Sequence, residues 1–278
     1  MKITFLGTAA AEGCPALFCN CQYCIEARRL GGKDIRTRSQ SLINGDLLVD
    51  FPADTLSHFQ QNGIRGDRIR YLLITHAHSD HCYPRDLLLR GSWYAHEMEE
   101  PTLTVLCPET VYERCRETLA SADPGVAEGI ELIEAKPFQT VTLGRYSVTP
   151  LPARHAPGQV AVIYLVCDGE KTLLYAHDTG LFYDEIFDYV EKNHICLDFA
   201  TFDCTNAHLP SKPTSIHMGF DCVGEAIGRL RAIGAVDGDT VLYVNHFSHN
   251  GNPLHEGMTR SAAAIGCAVS YDGCTVEI

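Results

Sequence analysis

The segment "YLLITHAHSDHC" constrains this chain more than any other, because an apolar run ends in His76, His78, Asp80 and His81 within six positions. Alternate residues of an extended chain face the same way, so His76 and His78 can approach one cation together. Asp80 and His81 come next in the turn, where they can serve a second cation. Imidazole and carboxylate donors suit zinc, manganese or iron(II), so the donor set does not choose the metal. A single histidine there would be read as loop decoration; three with an aspartate are not.

A second cluster lies upstream in "ALFCNCQYCIEARR", which brings together the thiols of Cys19, Cys21 and Cys24. A structural zinc takes four protein ligands in a tetrahedron, so three sulfurs leave one position to be filled from elsewhere. The chain has 13 cysteines in 278 residues and its start, "MKITFLGTAAAEG", has no apolar run of signal-peptide length. Metal ligands and buried thiols are therefore expected in preference to disulfides. Cys82, Cys167, Cys196 and Cys267 sit in apolar surroundings and read as packing residues. No stretch approaches the ~18 apolar residues of a membrane span, and the expectation is a cytoplasmic protein with no membrane partner.

Strand-like segments occur at "KITFLG", "SLINGDLLVD", "RYLLITH", "LTVLC", "SVTPLP", "AVIYLVC", "KTLLYAHD", "FATFD", "TVLYVNH" and "CTVEI". Helix-compatible stretches fall at 54–62, 109–121, 182–193, 219–233 and 254–265. Strands in direct succession with isolated helices after them predict two mixed sheets covered by helices, in one domain spanning 1–278. The acidic stretch "AHEMEEP", together with the residues after it up to Gly129, reads as a solvated loop and helix over one edge.

The intact H-x-H-x-D-H run from His76 to His81 resembles the signature of the metallo-β-lactamase superfamily, a resemblance that covers almost the whole chain. It implies a four-layer αββα sandwich. It also implies later metal ligands at further strand ends, matched here by His155 after "SVTPLPAR", Asp178 after "KTLLYAH" and His246 after "TVLYVN". The resemblance assigns His76, His78 and His155 to one metal and Asp80, His81 and His246 to the other, with Asp178 bridging. His177, beside Asp178, lacks such support and reads as a loop residue. The Cys-x-Cys-x-x-Cys segment together with the H-x-x-H formed by His246 and His249 is similar to phosphodiesterases of the PhnP type, associated with phosphonate breakdown. That likeness implies a structural zinc on Cys19, Cys21, Cys24 and His249. "GTAAAEGCP" and "RTRSQS" also resemble family segments, and Arg36 and Arg38 are read either as phosphate contacts or as solvated side chains.

Together these readings predict two catalytic divalent metals, zinc or manganese, and one structural zinc. Two such cations ~3.5 to 4 Å apart share a hydroxide of lowered pKa for in-line attack. Asp80 would both ligate and orient that hydroxide. The resemblance gives His217, in "PTSIHMGF", the role of a proton donor to the leaving group, the alternative being a helix-start residue capped by Thr214 or Ser215. The predicted substrate is a small phosphodiester, cyclic ones included. With 22 Lys plus Arg against 35 Asp plus Glu, the net charge of −13 disfavours a large nucleic acid. Rival readings are a lactone or thioester hydrolase of the same fold, a tRNA-processing nuclease and a non-catalytic metal-bound sensor. The oligomeric state stays open, a homodimer included.

Overall fold

The computed structural model describes residues 1–91 and 93–278. Its first sheet joins β1 (Lys2–Gly7), β2 (Gln40–Ile43), β3 (Leu47–Val49), β4 (Tyr71–Leu73), β5 (Leu103–Cys107) and β6 (Ile130–Glu134), with the last strand, β14 (Cys274–Glu277), beside β1. The second sheet runs β7 (Val141–Leu143), β8 (Tyr146–Pro152), β9 (Val162–Cys167), β10 (Thr172–Ala176), β11 (Phe199–Asp203), β12 (Val241–Asn245), β13 (Ala268–Val269). Each sheet is antiparallel at one end and parallel at the other, which is the mixed type expected. "SLINGDLLVD", read as one strand, is a hairpin: Asn44 and Gly45 both have positive φ at its turn.

Strand sequences show why there are four layers. In β9, Val162, Tyr164 and Val166 point into the core between the sheets, while Ile163 and Leu165 point into a second core on the outer face. Both faces are covered, so these strands are apolar throughout rather than alternating. Helices α5 (Asp184–Lys192), α6 (Phe220–Ala232) and α7 (His255–Ala264) close the outer core of the second sheet, α6 with Val223, Ala226, Ile227 and Leu230 on one stripe. On the first sheet α2 (Thr55–Asn62), α3 (Glu109–Leu119) and the short α4 (Pro124–Glu128) do the same. The remaining helix, α1 (Gln22–Leu30), comes directly after the cysteine cluster. The αββα sandwich is thus as predicted, but α1, α4, β6, β7 and β13 were not read from the sequence. They are short or half exposed, and their apolar pattern is too brief to show a period.

Several local readings are corrected. Arg36 is buried, donates to Thr8 Oγ1 at 2.9 Å and Ser270 O at 2.8 Å, and covers the Phe247 ring; Arg38 pairs with Asp54 at 3.0 Å. Both brace the amino-terminal loop instead of facing a phosphate. Cys196 is exposed, whereas Cys82 and Cys267 are buried as expected. The acidic stretch after residue 94 is not merely solvated: Glu99 pairs with Arg65 and Arg68, and Glu100 with Arg70. No helix among the described residues is long and apolar enough to cross a membrane.

One tyrosine sews the sheets together near the histidine motif. Tyr164, fully buried in β9, donates toward the carbonyls of Ile74 at 2.8 Å and Leu106 at 3.2 Å on the opposite sheet. Tyr164→Phe should cost about 1–3 kcal/mol, because it strips partners from buried carbonyls without changing shape. Urea denaturation of the two proteins checks this; equal midpoints would mean that the hydroxyl does not tie the sheets.

Candidate metal centre

The parallel strands of both sheets deliver their carboxyl ends to one rim. Register aligns the second sheet: Asp203 is level with Asn245 and Phe202 with Ala176, so Asp178 and His246 each lie one step past Asp203. At that step the chain turns sharply. Asp50, Asp178 and His246, each just beyond a strand, have φ of 65°, 57° and 63°. Left-handed backbone is strained for such residues and is kept where a site demands it. On the first sheet β4 ends at Leu73, and Thr75 to Cys82 form the loop that carries the motif.

The seven predicted ligands come together. Asp178 Oδ2 lies 3.0 Å from His76 Nε2, 3.3 Å from His155 Nε2, 3.2 Å from His81 Nε2 and 3.8 Å from His246 Nε2. Around it stand three groups, each with donor atoms within 4.8 Å of one another: His76, His78, His155 with Asp178; Asp80, His81, His246 with Asp178; and Asp203, His217, His246 with Asp178. In each of the first two, two imidazole nitrogens face each other across 3.1 Å: His155 Nε2 with His78 Nδ1, and His81 Nε2 with His246 Nε2.

Surrounding groups decide which nitrogens carry protons. His81 Nδ1 donates to Asp50 Oδ2 at 2.7 Å, His76 Nδ1 to Thr75 Oγ1 at 3.0 Å, His246 Nδ1 to Thr205 Oγ1 at 2.8 Å and His155 Nδ1 to Ile216 O at 3.3 Å. Each neutral ring so held turns an Nε2 lone pair inward, as metal-binding histidines do. His76 Nε2 and Asp178 Oδ1 are buried without a hydrogen-bond partner among the described residues. Inward lone pairs, orphaned polar atoms and buried carboxylates fit two divalent cations.

The electrostatics agree. Burial works against charge on Asp178, yet His246 and His76 outweigh it and hold its carboxyl well below the usual range. Burial also opposes charge on His81, but Asp50 and Asp80 raise its pKa well above normal. For His155 burial prevails and lowers the value to about 4.

His217 also reaches the rim. Its Nδ1 donates to Asp203 Oδ2 at 3.2 Å and lies 3.1 Å from Asp178 Oδ1. Burial alone would favour its neutral form, but Asp203 and Asp178 raise its pKa to about 10. It is not capped into a helix: Gly219 precedes α6, and Ser215 Oγ accepts from Lys212 N instead. His177 does lie just past the end of β10, but it is not a solvated loop side chain. It is fully buried, bonded through Nε2 to Thr201 Oγ1 at 2.8 Å and through Nδ1 to Asn245 Nδ2 at 3.0 Å, beneath the rim between the two sheets. Burial holds it neutral.

Sequence reasoning missed Asp50 and Asp203, the carboxylates behind His81 and behind His246 and His217. Each closes an apolar strand, in "DLLVD" and "FATFD", which is the same signal that marks Asp178.

A second cluster sits beside the rim. Cys19, Cys21, Cys24 and His249 bring their ligand atoms within 4.8 Å of one another, with His249 Nδ1 3.5 Å from Cys21 Sγ and 3.6 Å from Cys24 Sγ. His249 with the Cys24 backbone N–H lowers the Cys21 thiol to about 6, while burial pushes Cys24 up to about 12. The Cys21 thiolate therefore forms readily without metal while Cys24 awaits a cation, and three thiols with one imidazole are a donor set that fits zinc. The described cysteines form no disulfides.

With this geometry in view, comparison with known proteins is informative. Residues 47–244 match the family model described as the beta-lactamase superfamily domain. Among solved structures, the chain is similar to a diphosphatase from the PhnP family, at 21% identity and a TM-score of 0.73 over 100% of this chain and 98% of the other. It is similar to Zn(2+)-bound PqqB from Methylobacterium extorquens, at 20% identity and 0.74 over 100% of each. The short form of human tRNase Z is similar at 14% and 0.67, over 100% of this chain and 99% of that one. None of the curated proteins matches by sequence.

Two predictions arise here. Zinc content by mass spectrometry should fall by one tightly held ion in Cys21→Ser, with the two-cation rim still loadable; equal zinc in variant and parent would remove the cysteine site. At Gly180 an added Cβ would lie 1.8 Å from the Ser215 carbonyl oxygen. Gly180→Ala should thus displace the loop bearing His217 and destabilise the fold by about 1–3 kcal/mol, read by thermal melting.

Proposed function

The chain belongs to the beta-lactamase superfamily, and on that premise we propose that it is a metal-dependent hydrolase of a small phosphate diester. The feature that carries the choice of ester is His217, held by Asp203 at the edge of the rim: it could join Asp178, Asp203 and His246 as a further donor, but is left free to carry a proton when the two cations sit on the other two groups. A thioester that expels a stabilised thiolate has little use for such a group, whereas a phosphodiester that expels an alkoxide needs it; a lactone, which also expels an alkoxide, is separated by direct comparison of the two substrates.

His76, His78 and His155 would hold one divalent cation, zinc or manganese, and Asp80, His81 and His246 the other, with Asp178 shared. When bound, such a pair supplies an activated water and neutralises charge on the substrate's oxygens. The protein's own groups do the rest. Asp80 orients the attacking water by accepting its hydrogen bond. Asp50 and Thr205 keep His81 and His246 in the tautomer that points Nε2 inward. His217 gives its Nε2 proton to the departing oxygen while Nδ1 stays on Asp203, which stabilises the ring in its charged form and returns it there after release. The zinc proposed on Cys19, Cys21, Cys24 and His249 is structural, holding the amino-terminal loop against the strand end that carries His246.

The cleft above the rim, about 390 Å³ in volume, supports a small substrate. So does its lining, which among the described residues has no lysine or arginine to track a polynucleotide. Relatives acting on phosphorus are compatible: one similar structure is a diphosphatase of the PhnP family.

Protein loaded with Mn²⁺ or Zn²⁺ should hydrolyse a phosphodiester reporter in preference to a phosphomonoester, a lactone and a β-lactam; preference for a carbonyl substrate would displace this reading. His217→Ala should lower kcat about 100-fold for a diester with an alkyl leaving group and only slightly for one releasing p-nitrophenolate. Equal losses on both esters would take the proton-donor role from His217.

A further inference from the structure

The cleft has a wall that this chemistry does not use. It is formed by the loop after β1, and its one ionisable group is Glu12, which lines the cleft across from His155 and His217 together with Ala10, Ala11 and Ser248. Glu12 is fixed in place. Its Oε1 accepts from Ser248 Oγ at 2.5 Å, and the backbone on both sides is pinned: before it Ala10 N donates to Phe247 O at 3.0 Å, and after it Cys14 N donates to Arg36 O at 2.9 Å. Its Oε2 has no protein partner among the described residues, and the side chain is 31% exposed. The His249 ring lies 3.9 Å from Oε1 through its Nε2, while its Nδ1 is turned to the thiols of Cys21 and Cys24. An acceptor without a partner, in a cleft with no lysine or arginine, is a selective feature. It favours a ligand that presents a donor and penalises one that brings extra negative charge.

We propose that Glu12 is the specificity-determining residue of this cleft: its free carboxylate oxygen accepts a hydrogen bond from the alcohol part of the ester, and its charge turns away a doubly ionised phosphate. This rests on the phosphodiesterase reading and deepens it. A diester carries one negative charge at neutral pH, whereas a monoester carries up to two, its second pKa being ~6. Glu12 therefore separates two phosphate classes that the metal ligands alone would both attract. The substrate class it selects is a diester whose retained alcohol bears a hydroxyl near the phosphorus.

The test uses the metal-loaded full chain, its Glu12→Gln and Glu12→Ala variants, and three esters sharing one leaving group: glyceryl p-nitrophenyl phosphate, propyl p-nitrophenyl phosphate and p-nitrophenyl phosphate. Glu12→Gln keeps an acceptor oxygen for Ser248 and removes the charge. It should raise kcat/KM for the monoester about tenfold relative to the propyl diester. Glu12→Ala should in addition lower the glyceryl-to-propyl ratio about fivefold. Calorimetry with inorganic phosphate provides a readout independent of turnover, and binding should tighten in both variants. Unchanged ester ratios together with unchanged phosphate affinity would overturn the proposal. So would an equal loss on all three esters accompanied by loss of one zinc, since that would make Glu12 a support of the cysteine site alone. Should no protein hydrolyse either diester, the phosphodiesterase reading fails by itself; tighter phosphate binding in the variants would still uphold the charge effect of Glu12, and unaltered binding would end it.

Discussion

Everything at the rim depends on a concentration of buried negative charge that the protein cannot neutralise with its own permanent cations. Asp50, Asp80, Asp178 and Asp203 are all buried there, and no lysine or arginine side chain among the described residues pairs with Asp80, Asp178 or Asp203. Buried carboxylates without a permanent counter-charge are costly, and only His81 and His217 are pushed toward their charged forms, while burial holds His76 and His155 toward the neutral one. A pair of divalent cations, as proposed, would resolve this conflict and engage the inward nitrogens as ligands. The tautomers imposed by Asp50, Thr75, Thr205 and the Ile216 carbonyl prepare them for that state.

The fold serves this arrangement by making two unlike sheets end at one level. The parallel register from β10 to β12 fixes the depth at which Asp178 and His246 emerge, and the left-handed turns at both residues redirect the chain at that depth. Beneath them, His177, Thr201, Asn245 and Ser39 form a polar layer between the sheets, all buried and mutually bonded. Such a layer holds the strand ends at fixed spacing, because every one of its groups must keep its partner.

How much of this was legible in the sequence depended on whether a residue's type announced its task. Histidines at strand ends have few bland explanations, so the ligands could be named from spacing and family likeness, and the three thiols pointed to a missing fourth donor. Asp50 and Asp203 escape notice because an aspartate after a strand is ordinary turn chemistry. His177 misleads for the converse reason: its neighbour explains the local pattern, and only the pairing of two sheets reveals that residue 177 faces inward. Arg36 looks like a phosphate contact because isolated basic residues near a glycine-rich loop invite that reading, yet its partners, Thr8 and the Ser270 carbonyl, come from opposite ends of the chain. Pairings across such distances leave no periodic trace.

The cysteine cluster has a bearing on how the molecule comes into being. Cys21 and Cys24 lie 228 and 225 positions before His249, with Cys19 earlier still, and β14 must still be added beside β1. During ribosomal synthesis, the early thiols therefore emerge long before their imidazole partner. A contact of such long sequence separation is slow to form, so His249 is the last of the four donors to arrive, after the strands between them have been made.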